Sequence, residues 1–250
     1  MGFNCGIVGL PNVGKSTLFN AVTNTTAAAA ANYPFCTIEP NIGRVPVPDP
    51  RLDTLVRIGK SAKTVPTQLE IKDIAGLVRG ASKGEGLGNK FLGAIREVDA
   101  VLQVLRCFED DDITHVEGSV DPLRDAELVE TELLLADLES LERQKDGLVK
   151  RARGQDKEAK ARLELLERIL PPMEAGRQAR TLDLSEEDRQ QLREFNLLTA
   201  KPVLYVCNVD EAAAASGNAL TAKVAAMAKA QGARHVVICA AIEAEQAGRA

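Results

Sequence analysis

The chain has 250 residues, with 31 Lys and Arg against 36 Asp and Glu, which gives a formal net charge of −5 at pH 7. An acidic balance over the whole chain argues against wholesale coating of nucleic acid or of an anionic membrane. Six Phe, two Tyr and no Trp leave few rings on which bases could stack, so we expect no base-stacking platform of the kind that RRM or OB folds use. We also expect no DNA sequence recognition.

The cysteines point to a reducing compartment. Five of them lie at positions 5, 36, 107, 207 and 239, and none of their spacings matches a metal-binding motif. An odd number of cysteines without a signal peptide is typical of reduced cytosolic thiols. Because no apolar run approaches the length of a membrane span, we predict a soluble, cytoplasmic protein with no membrane contact.

Short apolar runs alternate with helical patterns at both ends of the chain. Strand patterns occupy residues 5–9, 68–73, 100–105, 203–207 and 235–239, residues 41–47 form an irregular edge strand, and helical patterns cover residues 16–22 and 87–98. Continuous β-branched runs separated by helices predict an α/β fold with a mostly parallel, six-stranded sheet and helices on both faces.

Between residues 128 and 200 the strand pattern is absent. Leucines at positions 134, 138, 141 and 148 form one helical stripe, and those at 163, 166 and 170 form another. Pro171 and Pro172 are predicted to end the second helix, and Ser185 with Asp188 resembles a capping box that begins a third. We predict a helical hairpin at 128–200, inserted into an α/β domain of residues 1–127 and 201–250.

Charge is uneven along this insertion. Between Arg143 and Arg168 there are nine basic and five acidic residues, a local excess of +4. Two interpretations are open at this stage. The segment is either a solvated hairpin with i,i+4 ion pairs or a hairpin tip that contacts RNA phosphates.

A phosphate-binding motif lies near the start of the chain. GLPNVGKS at residues 9–16 matches GxxxxGK[ST] between a predicted strand and a predicted helix. Its glycines let backbone N–H groups wrap phosphates, and the helix adds its N-terminal dipole. We expect Lys15 to reach the β- and γ-phosphates of a nucleotide and the Ser16 hydroxyl to bind Mg²⁺.

Two further segments narrow the class of enzyme. In DIAG at residues 73–76, Asp73 suits the Mg²⁺ shell through a water, and the Gly76 N–H suits the γ-phosphate. Thr37, in the loop YPFCT at 33–37, is placed to complete the Mg²⁺ shell. A γ-phosphate-sensing loop on either side of the metal is typical of GTPase-like switches, and a metabolite kinase does not require it.

The base-recognition segment departs from the GTPase pattern Asn-Lys-x-Asp. The chain has NVDE at 208–211, and Glu211 is one methylene longer than the Asp that pairs with guanine. The amide of Asn208 suits N6 and N7 of adenine instead. We therefore predict ATP in preference to GTP, with Asp210 left open as an alternative acceptor for guanine if the loop shifts its register.

The residue that orients the attacking water is also different. Ras-like enzymes place a Gln directly after DxxG, and this chain has Leu77 there. Because an alkyl side chain cannot hydrogen-bond water, hydrolysis must be slow or must use another group.

Together these segments resemble the YchF / Obg-like ATPase family. The segments that carry the resemblance are GLPNVGKSTLFN at 9–20, YPFCTIEPN at 33–41, DIAGLV at 73–78, GEGLGN at 84–89 and NVDE at 208–211. The resemblance covers nearly all of residues 2–245 and implies a P-loop G domain of the Obg group with a coiled-coil insertion. It further implies ATP hydrolysis, association with ribosomes and a regulatory part in translation or stress responses.

The resemblance also assigns individual residues. It places nucleotide contacts on Asn12, Val13, Gly14, Lys15, Ser16 and Thr17, metal contacts on Ser16 and Thr37, and a main-chain base contact on Val209. Family members lack the water-orienting Gln, and a mobile His is thought to replace it; the matching residue is His115. The resemblance leaves K⁺ open as a further cofactor, and the family's C-terminal TGS domain is not contained in these 250 residues.

Two alternatives to an ATP-hydrolysing ribosomal switch stay open. One is a true GTPase, against which Glu211 argues. The other is an RNA- or protein-binding module that nucleotide controls and in which hydrolysis is incidental.

Overall fold

The computed structural model describes residues 3–23, 41–74, 87–110, 112–154 and 156–248. Its six strands are β1 (Phe3–Val8), β2 (Asn41–Pro46), β3 (Gln68–Asp73), β4 (Ala100–Arg106), β5 (Val203–Asn208) and β6 (Arg234–Ile238). They form one sheet in the order β2-β3-β1-β4-β5-β6. Every neighbouring pair is parallel except β2 and β3. The predicted six-stranded, mostly parallel sheet is confirmed.

Eight α-helices accompany the strands in the described part of the chain. They are α1 (Lys15–Thr23), α2 (Pro50–Gly59), α3 (Leu87–Arg96), α4 (Pro122–Arg153), α5 (Lys157–Glu174), α6 (Glu186–Leu192), α7 (Ala219–Ala230) and α8 (Ala240–Ala247). Consecutive residues of β1 and β4 are buried, so both faces of the sheet are covered. Within the described ranges, no helix is both long enough and apolar enough to cross a membrane.

The 32-residue helix α4 belongs to three hydrophobic clusters, the first of which joins Ala126 to residues of β5 and α7. It begins after Asp121, whose carboxylate accepts from the first backbone N–H groups. Val129 and Leu133, in its first half, pack into the core of the sheet. Leu141 and Leu148, in its second half, pack with α5 in a separate cluster. The predicted boundary at residue 128 therefore lies inside one continuous helix, and the division into two domains remains a proposal.

The predicted end of the second hairpin helix is wrong. Helix α5 continues through Pro171 and Pro172 to Glu174. Both prolines lack an N–H, but their carbonyl groups still accept hydrogen bonds from Ala175 and Arg177, so the last turn closes. The chain turns away at Gly176, which has a φ of +92°, a conformation that favours glycine.

A buried carboxylate ties α4 to the segment that returns to the sheet. Asp137 accepts from the N–H of Leu198 at 2.8 Å, from the N–H of Thr199 at 2.8 Å and from the Thr199 hydroxyl at 2.7 Å. Burial raises the pKa of Asp137, and these hydrogen bonds oppose that rise. The contact sets where the end of the insertion meets β5.

Candidate functional site

The loop between β1 and α1 has a backbone shape that two glycines make possible. Gly9 has a φ of +152°, and a Cβ there would lie 2.5 Å from the carbonyl oxygen of Val104. Gly14 has a φ of +95°, and its Cβ would lie 2.3 Å from Nδ2 of Asn208. Side chains cannot enter either position without displacing a neighbour, so the loop keeps the bare, concave backbone that phosphate binding requires.

Lys15 lies in the floor of this loop. Its Nζ is buried and donates to the carbonyl oxygen of Leu10 at 2.7 Å. Burial lowers the pKa of Lys15 from 10.5 to about 8, although the nearby Asp73 carboxylate opposes the shift. An anion in the loop would supply the compensating charge that a neutral carbonyl does not.

Ser16 and Asp73 bring two oxygen donors together beside the loop. The Ser16 hydroxyl, at the start of α1, donates to Oδ2 of Asp73, at the end of β3, at 3.0 Å. Burial raises the pKa of Asp73, while Ser16 and Lys15 oppose the rise. A hydroxyl and a carboxylate are ligands that suit Mg²⁺. Thr37, Gly76 and Leu77 lie outside the described residues.

The Asn208 side chain is occupied by the protein itself. Its Nδ2 donates to the carbonyl oxygen of Val13 at 3.0 Å, and its Oδ1 accepts from the N–H of Ala240 at 2.9 Å. Asn208 is buried. This geometry does not fit the bidentate pairing with adenine expected from the sequence, because the amide is buried and would have to leave both of these partners to face a base. The amide joins the phosphate loop to the start of α8 instead.

The next three residues offer the base a different set of groups. The Val209 N–H donates to the carbonyl oxygen of Ile238 at 2.9 Å, so a main-chain contact of Val209 with a base would use its carbonyl. Asp210 accepts from the N–H of Ala213 at 2.9 Å, which ties its carboxylate to the following turn. Glu211 is exposed beside them.

The backbone before His115 touches the phosphate loop. Asn12, whose φ is +61°, donates through Nδ2 to the carbonyl oxygen of Thr114 at 3.1 Å. The next side chain, His115, is buried, and its Nε2 lies 2.8 Å from Oδ2 of Asp125. The structure thus brings the segment of His115 beside the loop at residues 9–16, although they are a hundred residues apart in sequence.

Sequence reasoning missed Asp125 as the partner of His115. Its position in the first turn of α4 gave no motif, because an acidic residue there also serves as an ordinary helix-end charge. Two assigned residues remain. Val13 lies in the phosphate loop, with its side chain buried in the core of the sheet, and Thr17 lies in the first turn of α1.

Comparisons with known proteins agree with this arrangement. The family model described as "50S ribosome-binding GTPase" matches residues 4–136. The "Ribosome-binding ATPase YchF" of Haemophilus influenzae is 56% identical over 245 residues, which are 98% of this chain and 67% of that protein. The protein of the same name from Bacillus subtilis is 51% identical over 247 residues, with the same two coverages. The solved Schizosaccharomyces pombe YchF GTPase superposes with a TM-score of 0.79 at 39% identity, covering 99% of this chain and 68% of that one.

Proposed function

Because the chain belongs to the YchF family of P-loop proteins, we propose that it binds and hydrolyses ATP with Mg²⁺, in preference to GTP, and associates with the ribosome. The observation that carries the proposal is the phosphate loop itself, with the buried Lys15 in its floor and Ser16 facing Asp73 beside it. The same proposal places the protein in the cytoplasm, where ribosomes work.

Each polar group of the loop has a role in phosphoryl transfer. Lys15 exchanges its bond to the Leu10 carbonyl for the β- and γ-phosphates, with the loop N–H groups around it. Ser16, Thr37 and Asp73 would hold Mg²⁺, with Asp73 acting through water; when bound, the ion neutralises charge on the phosphates. The Gly76 N–H would contact the γ-phosphate. K⁺ stays a prediction of the resemblance.

We assign the preference for ATP to two features of the segment after β5. Since the N–H of Val209 is bonded to Ile238, its carbonyl is left to accept a hydrogen bond, which the N6 amino group of adenine donates and O6 of guanine does not. Glu211 stands where an Asp would pair with guanine, and its extra methylene group carries the carboxylate past the position that accepts from N1–H and the 2-amino group of guanine. Asn208 connects this segment to the phosphate loop through its hydrogen bond to the Val13 carbonyl.

Hydrolysis needs a group that orients water, and we assign this to His115. Leu77 cannot do it, and the Asn12–Thr114 hydrogen bond keeps the backbone of His115 beside the phosphate loop. A neutral imidazole is a general base of suitable strength near pH 7.

Calorimetric titration with ATP and with GTP, each with Mg²⁺, tests the nucleotide. The relatives make this a sharp question, because the bacterial proteins are named as ATPases and the yeast protein as a GTPase. We expect ATP to bind more tightly, and Glu211→Asp to improve GTP binding by about tenfold while leaving ATP binding unchanged. Tenfold tighter binding of GTP to the unaltered chain would contradict the proposal.

The hairpin tip favours a second, compatible activity: binding of ribosomal RNA. Four of the nine basic side chains in this stretch are ion-paired, namely Arg143, Arg151, Arg162 and Arg168. The pairing supports a solvated hairpin for those positions. Exposed basic residues remain around the turn between α4 and α5, including Lys150, Arg153 and Lys157.

The salt dependence of ribosome binding tests this contact. The logarithm of the association constant for ribosomes falls linearly with the logarithm of the salt concentration. In the double variant Arg153→Gln and Lys157→Gln, we expect this negative slope to become shallower by about two. The double variant Lys223→Gln and Lys229→Gln, on α7, removes the same charge elsewhere and serves as the control. An unchanged slope in the tip variant would remove the tip from the RNA interface and favour a protein partner.

A further inference from the structure

Both ring nitrogens of His115 are engaged in the structure. Nδ1 accepts from the backbone N–H of Glu117 at 3.1 Å, which requires the proton of the neutral ring to lie on Nε2. Nε2 then donates to Oδ2 of Asp125 at 2.8 Å. In this orientation the imidazole has no nitrogen with which to accept a proton from water.

Asp125 has little freedom to release the ring without cost. It is 1% exposed, and its other oxygen, Oδ1, accepts from Nε and Nη2 of Arg124 at 3.2 and 3.0 Å. If His115 turned away, Oδ2 would become a buried, charged acceptor without a partner. Such a loss is costly, so the engaged orientation is the favoured one.

The backbone on the N-terminal side of His115 is held separately. Nη1 of the buried Arg106 donates to the carbonyl oxygen of Ile113 at 2.7 Å, and Asn12 donates to that of Thr114 at 3.1 Å. A change in the orientation of the imidazole can therefore occur by side-chain rotation while the backbone stays beside the phosphate loop. The structure shows the ring engaged by Asp125, and a side-chain rotation would turn it toward the loop.

We propose that Asp125 is a positioning residue that holds His115 in a resting orientation, so that turnover requires this hydrogen bond to break. This inference rests on the proposed role of His115 and adds the group that restrains it. Under a restraint of this kind, the observed rate equals the rate of the unrestrained protein multiplied by the fraction of molecules in which the ring is free. It keeps hydrolysis slow in the absence of an event that moves the first turn of α4.

The test compares Asp125→Asn with its neighbour on the same helix, Glu127→Gln. Asn has the shape of Asp and lacks its charge, so the hydrogen bond weakens while the packing stays. We expect ATP turnover of Asp125→Asn to rise about tenfold, with the Kd for ATP unchanged within twofold. Glu127 is exposed, so Glu127→Gln removes an equal charge without touching His115 and should turn over at the original rate.

The double variant separates this inference from the proposed function. If His115 is the restrained group, Asp125→Asn combined with His115→Ala will be as slow as His115→Ala alone. A His115→Ala variant as fast as the unaltered chain would refute the catalytic role of His115 and the restraint with it. If His115→Ala is slow and Asp125→Asn is equally slow or unchanged, His115 stays catalytic and the restraint is overturned, with a slow variant showing that Asp125 orients the ring for reaction.

Amide hydrogen exchange gives a readout that does not depend on turnover. The N–H of Glu117 is bonded to Nδ1 only while the ring is engaged. We expect its protection to fall about tenfold in Asp125→Asn and to be unchanged in Glu127→Gln, with the protection of the β4 amides the same in all three proteins. Equal protection of the Glu117 amide in Asp125→Asn and in the unaltered chain would overturn the proposal.

Discussion

The side chain of Asn208 is hydrogen-bonded to the carbonyl oxygen of Val13, 195 residues earlier in the chain, at 3.0 Å. Val13 lies in the loop that cradles phosphates, and Asn208 lies at the end of β5, next to the segment that we assign to the base. One buried amide thus joins the two halves of the nucleotide site. In the proposed site, the groups that would contact the base and those that would contact the phosphates are therefore joined by one hydrogen-bonded side chain.

Replacing Asn208 with Ala should weaken the binding of every nucleotide. The substitution leaves the Val13 carbonyl and the Ala240 N–H without their partner, and two buried hydrogen bonds of this kind contribute about 2 kcal/mol together. Because both hydrogen bonds already exist in the nucleotide-free chain, their loss lowers the free energy of unfolding and leaves the phosphate loop less well ordered for binding. We expect the Kd values for ATP and GTP to rise by the same factor, up to about thirtyfold, in calorimetric titrations. A change confined to one nucleotide would mean that Asn208 contacts the base directly.

Gly14 should tolerate no side chain. In Gly14→Ala, the new methyl group would meet Nδ2 of Asn208 at 2.3 Å, and the φ of +95° strains any L residue. We expect nucleotide binding to be lost at millimolar concentrations. Gly93→Ala is the matched control, because Gly93 lies in α3 and a Cβ there meets no atom of the described residues within 4 Å. That change should leave binding intact and stabilise the fold by about 0.5–1 kcal/mol in urea denaturation.

The buried Lys15 should make nucleotide-free protein more stable as pH rises. Burial lowers its pKa to about 8 in the folded chain, whereas the unfolded chain keeps the ordinary value. Between these values the unfolded state binds more protons, so raising the pH favours the folded state. From pH 7.5 to 9.5, we expect the free energy of unfolding to gain about 2 kcal/mol relative to the Lys15→Met variant. Parallel curves for the two proteins would show that the pKa of Lys15 is not lowered.

Asp137 should be necessary for the junction between the insertion and the sheet. Asp137→Ala leaves three donors from Leu198 and Thr199 unsatisfied, for which we expect a loss of about 3 kcal/mol in the free energy of unfolding. The exposed Asp146, farther along α4, provides the control, since Asp146→Ala should change stability by less than about 0.5 kcal/mol. A loss of similar size in both variants would show that the charge on α4 contributes to the free energy of unfolding and that the hydrogen bonds at the junction do not.

The sheet and the phosphate loop were predictable because their signals are local. A strand pattern before residues 9–16 and a helical pattern after them define the loop, and the structure places β1 and α1 there. The leucine stripes of the hairpin were predictable for the same reason, since each stripe needs only the helical repeat.

Other parts of the site depend on residues far apart in the chain. The pattern NVDE shows an amide at 208, but its use in binding Val13 and Ala240 is set by how β5 and α8 meet the loop. The pairing of His115 with Asp125 likewise follows from the turn that brings the start of α4 back to residue 115. The end of α5 was mispredicted by two residues, because the two prolines remove donors without removing acceptors. Their carbonyl groups still accept from the N–H groups of Ala175 and Arg177, so the chain keeps its helical path to Glu174.

The continuity of α4 has a mechanical consequence. A helix of 32 residues is about 48 Å long, with Asp125 in its first turn and the exposed basic side chains at its far end. Its first half packs into the core of the sheet and its second half into the hairpin core. By length alone, a tilt of about 5° about its first turn would displace its far end by about 4 Å. The carboxylate that binds His115 and the exposed basic side chains of the tip thus lie at the two ends of one continuous helix, so a partner bound at the tip would act on the same element that carries Asp125.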